Sequence, residues 1–245
     1  MTAPVFLVPE LPSGTSFVLD GPEGRHAAAV RRLGPGEDLV VADGRGGAAA
    51  CVVASVQGRT ALTLTVSRRW QEPEPTPRVV LAQALVKGDR GELAVELATE
   101  CGVDAVVPWR ASRCVARWDD GPRGEKALAR WRSTAREAAK QSRRARVPDV
   151  AEPVSTAELA ALVADAACAL VLDSRGSAPL AEVPLPETGD VVVVTGPEGG
   201  ISDHESEALV AAGAQVVRLG PTVLRASTAG AAALAALGVR TGRWR

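Results

Sequence analysis

Two kinds of hydrophobic pattern divide the chain. Up to about residue 70, short β-branched runs alternate with Gly, Asp and Pro: "FVLD" (17–20), "DLVVADG" (38–44), "AACVVASVQG" (49–58) and "TALTLTVSRRW" (60–70). Such runs bounded by turn residues predict strands. One helix interrupts them, in "EGRHAAAVRRLGPGE" (23–37), where Gly34-Pro35-Gly36 ends it. From residue 78 the pattern changes. Continuous apolar runs at 78–85, 103–109, 168–173, 190–196 and 214–220 are separated by helical segments at 89–102, 124–142, 155–166, 202–213 and 227–238. Strands apolar on both faces, alternating with helices, predict a mostly parallel sheet covered on both sides. Between the two regions lies "QEPEPTPR" (71–78), with three prolines and two acids. It reads as a stiff linker, so the expected division is 1–70, a linker 71–78, and 79–245.

The tetrapeptide Gly-Pro-Glu-Gly occurs twice, at 21–24 and 196–199. The first copy follows a short β run and reads as a structural turn. The second follows the buried run "VVVVT" and precedes a helix with a capping box, Ser202 and Glu205. Ligands of open α/β sheets bind at the C-terminal ends of strands, so this copy is the candidate site. "LGPTVLRASTAG" (219–230) repeats the design, with Arg225 alone in the loop, and "LVLDSRG" (170–176) offers a third strand end. The spacing is neither that of a Walker loop nor of a dinucleotide fingerprint. Glu198 at the loop tip disfavours phosphate and suits a neutral or cationic ligand.

Composition narrows the classes. Apolar residues make up 46 % and charged residues 23 % of 245, as in globular domains. Four cysteines without a C-x-x-C pair and two histidines suggest neither a zinc site nor a disulfide framework, and no metal is expected. No apolar run reaches membrane-spanning length, and the first residues do not form a secretory leader, which leads to a cytoplasmic expectation. The net charge of −1 hides a basic stretch: Arg110 to Arg146 holds twelve Lys and Arg against four acids. This is either a solvated helix face or a surface for a polyanion.

These motifs resemble those of the RsmE family of 16S ribosomal RNA uridine-N3 methyltransferases, in the SPOUT superfamily. The resemblance rests on "GPEGGISDHE", "LGPTVLRASTA", "ELATECGVDAVVPWRASR" (92–113) and "AREAAKQSRRARVP" (135–148), in that order, with "GRHAAAVRRLGPGEDLVVADGRG" near the N-terminus. It implies a small N-terminal PUA-like β-barrel, a C-terminal SPOUT α/β trefoil-knot methyltransferase domain and a homodimer through that domain. General topology rules alone predict an unknotted sheet; the knot comes only from the resemblance. The family's last loop often carries Leu-Arg-Thr-Glu-Thr-Ala, whereas Ser227 stands here in place of the acid.

The resemblance also implies S-adenosylmethionine as cofactor and 16S rRNA or the small ribosomal subunit as partner. The expected cofactor wall comprises Leu172, Thr195, Gly196, Pro197, Gly200 and Ile201. The second loop adds Leu219, Gly220, Leu224, Ala226 and Thr228. Methylation at uracil N3 needs loss of the imide proton and stabilisation of charge spreading onto O2 and O4. Arg225 is the candidate for charge stabilisation and Glu198 for the base, with a loop-stabilising carboxylate as the alternative for Glu198. RNA contacts are expected from Arg25, Arg31 and Arg32, from Arg113, Arg136 and Gln141, and from Arg143, Arg144 and Arg146. Two rival readings are a methyltransferase acting on tRNA or a ribose 2′-hydroxyl and a non-catalytic rRNA-binding relative.

Overall fold

The computed structural model describes residues 3–244. They form two compact units, and the chain visits the first unit twice. That unit comprises residues up to Glu74 together with Ala139–Val147; the second comprises Pro75–Ala138 and Pro148 onward.

In the first unit, β1 (Val5–Leu7), β2 (Ser16–Leu19), β3 (Asp38–Ala42), β4 (Gly47–Gln57) and β5 (Ala61–Gln71) make one sheet in the order β1-β3-β4-β5-β2. Register shifts in the β4–β5 ladder bend and twist that pair. Phe6, Leu19, Leu39, Val41, Leu62 and Leu64 are buried on one face. The first Gly-Pro-Glu-Gly is not a turn between strands but the first turn of α1 (Gly21–Arg25), which continues as a π-helical turn over His26–Val30. A Cβ at Gly24 has no room against the backbones of Leu19 and Thr60. That copy is therefore structural by packing.

Residues 139–147 were expected to belong to the long C-terminal domain. Instead Ala145 is buried with Val5, Leu7, Ala42 and Ala48, and Val147 N–H donates to the Gly44 carbonyl at 3.0 Å. Lys140 Nζ lies 2.9 Å from Glu23 Oε1, with both side chains largely buried. The Arg146 guanidinium lies against Gly46, where a Cβ would sit 2.6 Å from Nη2. Its Nη2 also donates to the Glu72 carbonyl at 2.8 Å. Helical periodicity does not reveal this return, because the partners lie about 70 to 140 residues away in the chain.

The second unit holds a seven-stranded sheet. Its strands are β6 (Arg78–Ala84), β7 (Ala105–Trp109), β8 (Asp149–Val150), β9 (Cys168–Leu172), β10 (Ala178–Pro179), β11 (Asp190–Thr195) and β12 (Gln215–Arg218), in the order β10-β12-β9-β11-β6-β7-β8. Every pair is parallel, so all C-terminal strand ends share one edge. The helices are α2 (Arg90–Glu100), α3 (Pro122–Gln141), α4 (Thr156–Asp165), α5 (Asp203–Ala211) and α6 (Ala226–Arg240). Val192 and Val194 pack with Leu159, Val163 and Leu209 on the face of α4 and α5. On the other face α6 packs on β6, β11 and α2, and Gly230 lets it approach Leu81. Both faces are covered, which is why these strands read as unbroken apolar runs.

Candidate active site

Three loops leave the shared edge after β9, β11 and β12, and with Arg90 they enclose a cavity of about 430 Å3. The β11 loop is tightly folded. A Cβ on Gly196 would meet Ile201 Cγ1 at 2.6 Å, and Gly200 has φ +74°, a region that disfavours side chains. Gly200 N–H donates to the Pro197 carbonyl at 2.9 Å. Ser202 then caps α5, with its side chain and that of Glu205 bonding each other's backbone N–H.

Glu198 is exposed on the cavity wall, and its Oε1 accepts the Lys87 N–H at 3.1 Å. This is the loop-stabilising contact held as its alternative role. The β9 loop is fastened by Arg175, whose guanidinium donates to Asp173 at 2.9 Å and to Asp203 at 2.8 Å. The hydrogen bond from Arg175 holds the Asp173 carboxyl below its ordinary value, so this wall residue is anionic at neutral pH. Arg225 stands at the N-cap of α6. Its carbonyl accepts the N–H groups of Thr228 and Ala229. Its guanidinium makes no hydrogen bond or ion pair among the described residues.

Ten of the eleven expected cofactor positions lie on this wall, as do Arg225 and Glu198. Thr228 does not: its hydroxyl donates to the Arg225 carbonyl at 3.1 Å and closes the helix cap. Arg90, Asp173, Ser174, Thr222, Val223 and Ala229 are wall residues that the sequence reading missed. Asp173 and Ser174 follow a recognised strand end and could have been inferred. Arg90 carried no such signal: it reaches from α2 to within 3.4 Å of the buried Ser227 hydroxyl, far away in sequence.

The expected RNA contacts separate. Arg25, Arg31, Arg32, Gln141 and Arg143 are exposed on the first unit, and Arg136 is exposed on α3. Arg144 is half-buried. Arg146 is occupied by Gly46 and Glu72, as described above. Arg113 packs its stem on Gly199 and donates to the Gly199 carbonyl at 3.3 Å. Arg146 thus also braces the fold, and Arg113 the β11 loop. Among the described residues no helix is long and apolar enough to cross a membrane.

A small β unit and a parallel α/β unit with a looped cavity at its strand ends are together the parts of an RNA methyltransferase carrying a PUA domain. Residues 72–238 match the RNA methyltransferase domain and residues 19–67 the RNA methyltransferase PUA domain. The chain belongs to the ribosomal RNA small subunit methyltransferase E family. It is 51 % identical to that protein of Mycobacterium bovis, covering 100 % of this chain and 94 % of the relative. It is 31 % identical to the Bacillus subtilis protein, covering 95 % and 93 %. The Neisseria gonorrhoeae enzyme, crystallised with S-adenosylmethionine, superposes with a TM-score of 0.83 at 27 % identity, covering 98 % of each chain.

Proposed function

We propose that this protein methylates N3 of a uridine in the decoding region of 16S rRNA, using S-adenosylmethionine. The observation that carries the reading is the three-loop cavity with an unpartnered Arg225 on its wall. The names of the relatives support the rRNA substrate. The residues present fit the cofactor. Thr195 Oγ1 is buried without a partner at the cavity, Gly196 admits no side chain, and Asp173 and Glu198 suit a cationic sulfonium. When bound, S-adenosylmethionine supplies an electrophilic methyl group. The loops would hold it by backbone and by Thr195, and Arg225 would stabilise the charge that develops on the uracil oxygens as the N3 proton leaves. Glu198 keeps one carboxylate oxygen for that proton while the other holds the Lys87 N–H. Loss of 3-methyluridine from 16S rRNA in a deletion strain, read by nucleoside mass spectrometry, tests the reaction; unchanged 3-methyluridine rejects it.

Gly196→Ala should weaken S-adenosylmethionine binding by about tenfold or more, since overpacking at such a site costs about 1–3 kcal/mol. Isothermal titration checks this, and wild-type affinity removes the loop from the cofactor site. Exposed cations of the first unit would track phosphates. Replacing Arg31, Arg32 and Arg143 together by Ala should lower the slope of log affinity against log salt by roughly 2 to 3, if each neutralises one phosphate. An unchanged slope moves the RNA surface elsewhere.

A homodimer through the second unit belongs to the same proposal. It is supported by apolar side chains left uncovered on one side of that unit: Val223 is 84 % and Val239 68 % exposed, next to a groove lined by Leu180, Ala232 and Ala236. A cytoplasmic location and the trefoil knot are proposed with it. The crossed order, in which β12 pairs with β9 rather than with the preceding β11, supports the knot.

A further inference from the structure

A second cavity, of about 380 Å3, opens in the second unit where the segment after β7 runs without regular structure toward α3. Its wall carries Trp118, Arg110, Arg117, Ser112 and Cys114, with Leu85 and Ala116 among its apolar parts. Nothing in the reaction proposed above uses these residues. We propose that this cavity receives an unpaired nucleobase of the substrate RNA, stacked on Trp118. The inference rests on the RNA methyltransferase reading and adds a binding site to it.

Three features carry it. First, Trp118 is a held aromatic platform. It is half-buried, and it meets the buried Trp131 edge-to-face, with centroids 4.9 Å apart and planes at 78°. Trp131 is itself locked against Gly91, where a Cβ would sit 2.8 Å from the indole. An indole fixed from behind loses little freedom on stacking, and base–aromatic stacking is the common grip on single-stranded RNA.

Second, the charge fits a base better than a phosphate. Arg110 and Arg117 are balanced on the wall by Asp119 and Asp120, and Arg110 donates to Asp120 at 3.1 Å. A balanced site disfavours a bare anion. A neutral heterocycle with its own donors and acceptors finds partners of both kinds there.

Third, this cavity adjoins the methyl-donor loop. Arg113 donates to the Gly199 carbonyl, and Ser112 Oγ lies 3.3 Å from Ser202 Oγ. Burial pushes the Cys114 thiol above its ordinary value, and the Glu205 and Glu198 carboxylates add to the rise. Glu198 thus faces the first cavity and lies within electrostatic reach of the second.

The test uses the full chain labelled with 15N-tryptophan, whose five indole N–H signals are assigned with single Trp→Phe variants. Titration with uridine 5′-monophosphate should move the Trp118 signal saturably and leave Trp70 and Trp244 in place. Ribose 5-phosphate, which lacks a base, should not move it. No Trp118 shift, or an equal shift with ribose 5-phosphate, overturns the proposal.

In single-turnover methylation of 16S rRNA, Trp118→Ala should cost about tenfold to a hundredfold, while Trp118→Phe keeps stacking and stays near wild type. A loss in rate at saturating RNA identifies the bound base as the reacting one; a loss restored by excess RNA identifies a flanking base. Full activity in Trp118→Ala overturns the proposal. Failure of the wild type to methylate rRNA rejects the enzymatic reading instead, and the nucleotide titration, which needs no turnover, still decides the base site.

Discussion

Arg225→Ala is expected to fold, to bind S-adenosylmethionine nearly normally and to methylate its rRNA about a hundredfold to a thousandfold more slowly. The magnitude is that of losing one donor to developing negative charge. The structural reason is that Arg225 lies on the cavity wall with its guanidinium unpartnered, while only its backbone carbonyl serves the helix cap. Removing the side chain therefore leaves the fold's hydrogen bonds intact. Arg225→Lys should recover only part of the rate, because the ammonium keeps the charge and loses the fork. Single-turnover measurements at saturating RNA and cofactor isolate the chemical step. Turnover near wild type would take Arg225 out of the chemistry. A loss that excess RNA restores would make it a phosphate clamp. Arg90, on the same wall, is the cation that could sustain residual activity.

The second large effect concerns stability. Glu205 is 3 % exposed and ties three segments together. Its Oε1 accepts the Ser112 N–H at 2.6 Å and the Thr156 hydroxyl at 3.2 Å. Its Oε2 accepts the Ser202 hydroxyl at 2.6 Å, the Ser112 hydroxyl at 2.8 Å and the Ser202 N–H at 3.1 Å. Burial alone would raise its pKa, but the hydrogen bonds from Ser202 and Ser112 outweigh burial and hold it below the ordinary value. A carboxylate whose folded pKa is depressed stabilises the fold above its unfolded pKa, about 4.3. That contribution fades as pH falls through the folded pKa.

Glu205→Ala should cost about 4 kcal/mol at pH 7, since bonds to charged groups contribute about 1.5–3 kcal/mol each and are not additive. Glu205→Gln should also destabilise, because its amide turns a donor toward groups that are themselves donors. The gap between wild type and Glu205→Gln should narrow below about pH 4. Urea denaturation at pH 7 and in acid measures both effects. A cost at pH 7 under about 1 kcal/mol, or a gap that ignores pH, would reject this account.

The capping box of Ser202 and Glu205 was legible because it spans three residues. The links from Glu205 to Ser112 and Thr156 were not, since they cross 93 and 49 residues. The two Gly-Pro-Glu-Gly copies show the same limit. The second was legible as a candidate site from what flanks it, a doubly buried strand before and a capped helix after, and its loop lines the cavity. The first packs as the opening turn of α1, and neither that place nor Glu23 closing on Lys140 could be read from it. Thr228 was placed on the cofactor wall by its neighbours in sequence, and one turn of helix takes its hydroxyl to the cap instead.

What the sequence determined by itself is local: which runs are strands buried on two faces, where helices start, and which loops need glycine. Backbone preference and hydrophobic period act over a few residues, so a few residues suffice to read them. Which cations remain free was decided only in three dimensions. Arg225, Arg146 and Arg113 are alike as letters. Arg225 faces a cavity, Arg146 is closed between Gly46 and Glu72, and Arg113 holds the Gly199 carbonyl. An arginine's role is set by the group within about 3 Å of its guanidinium; for Arg146 and Arg113 that group comes from a distant part of the chain, and for Arg225 none does among the described residues.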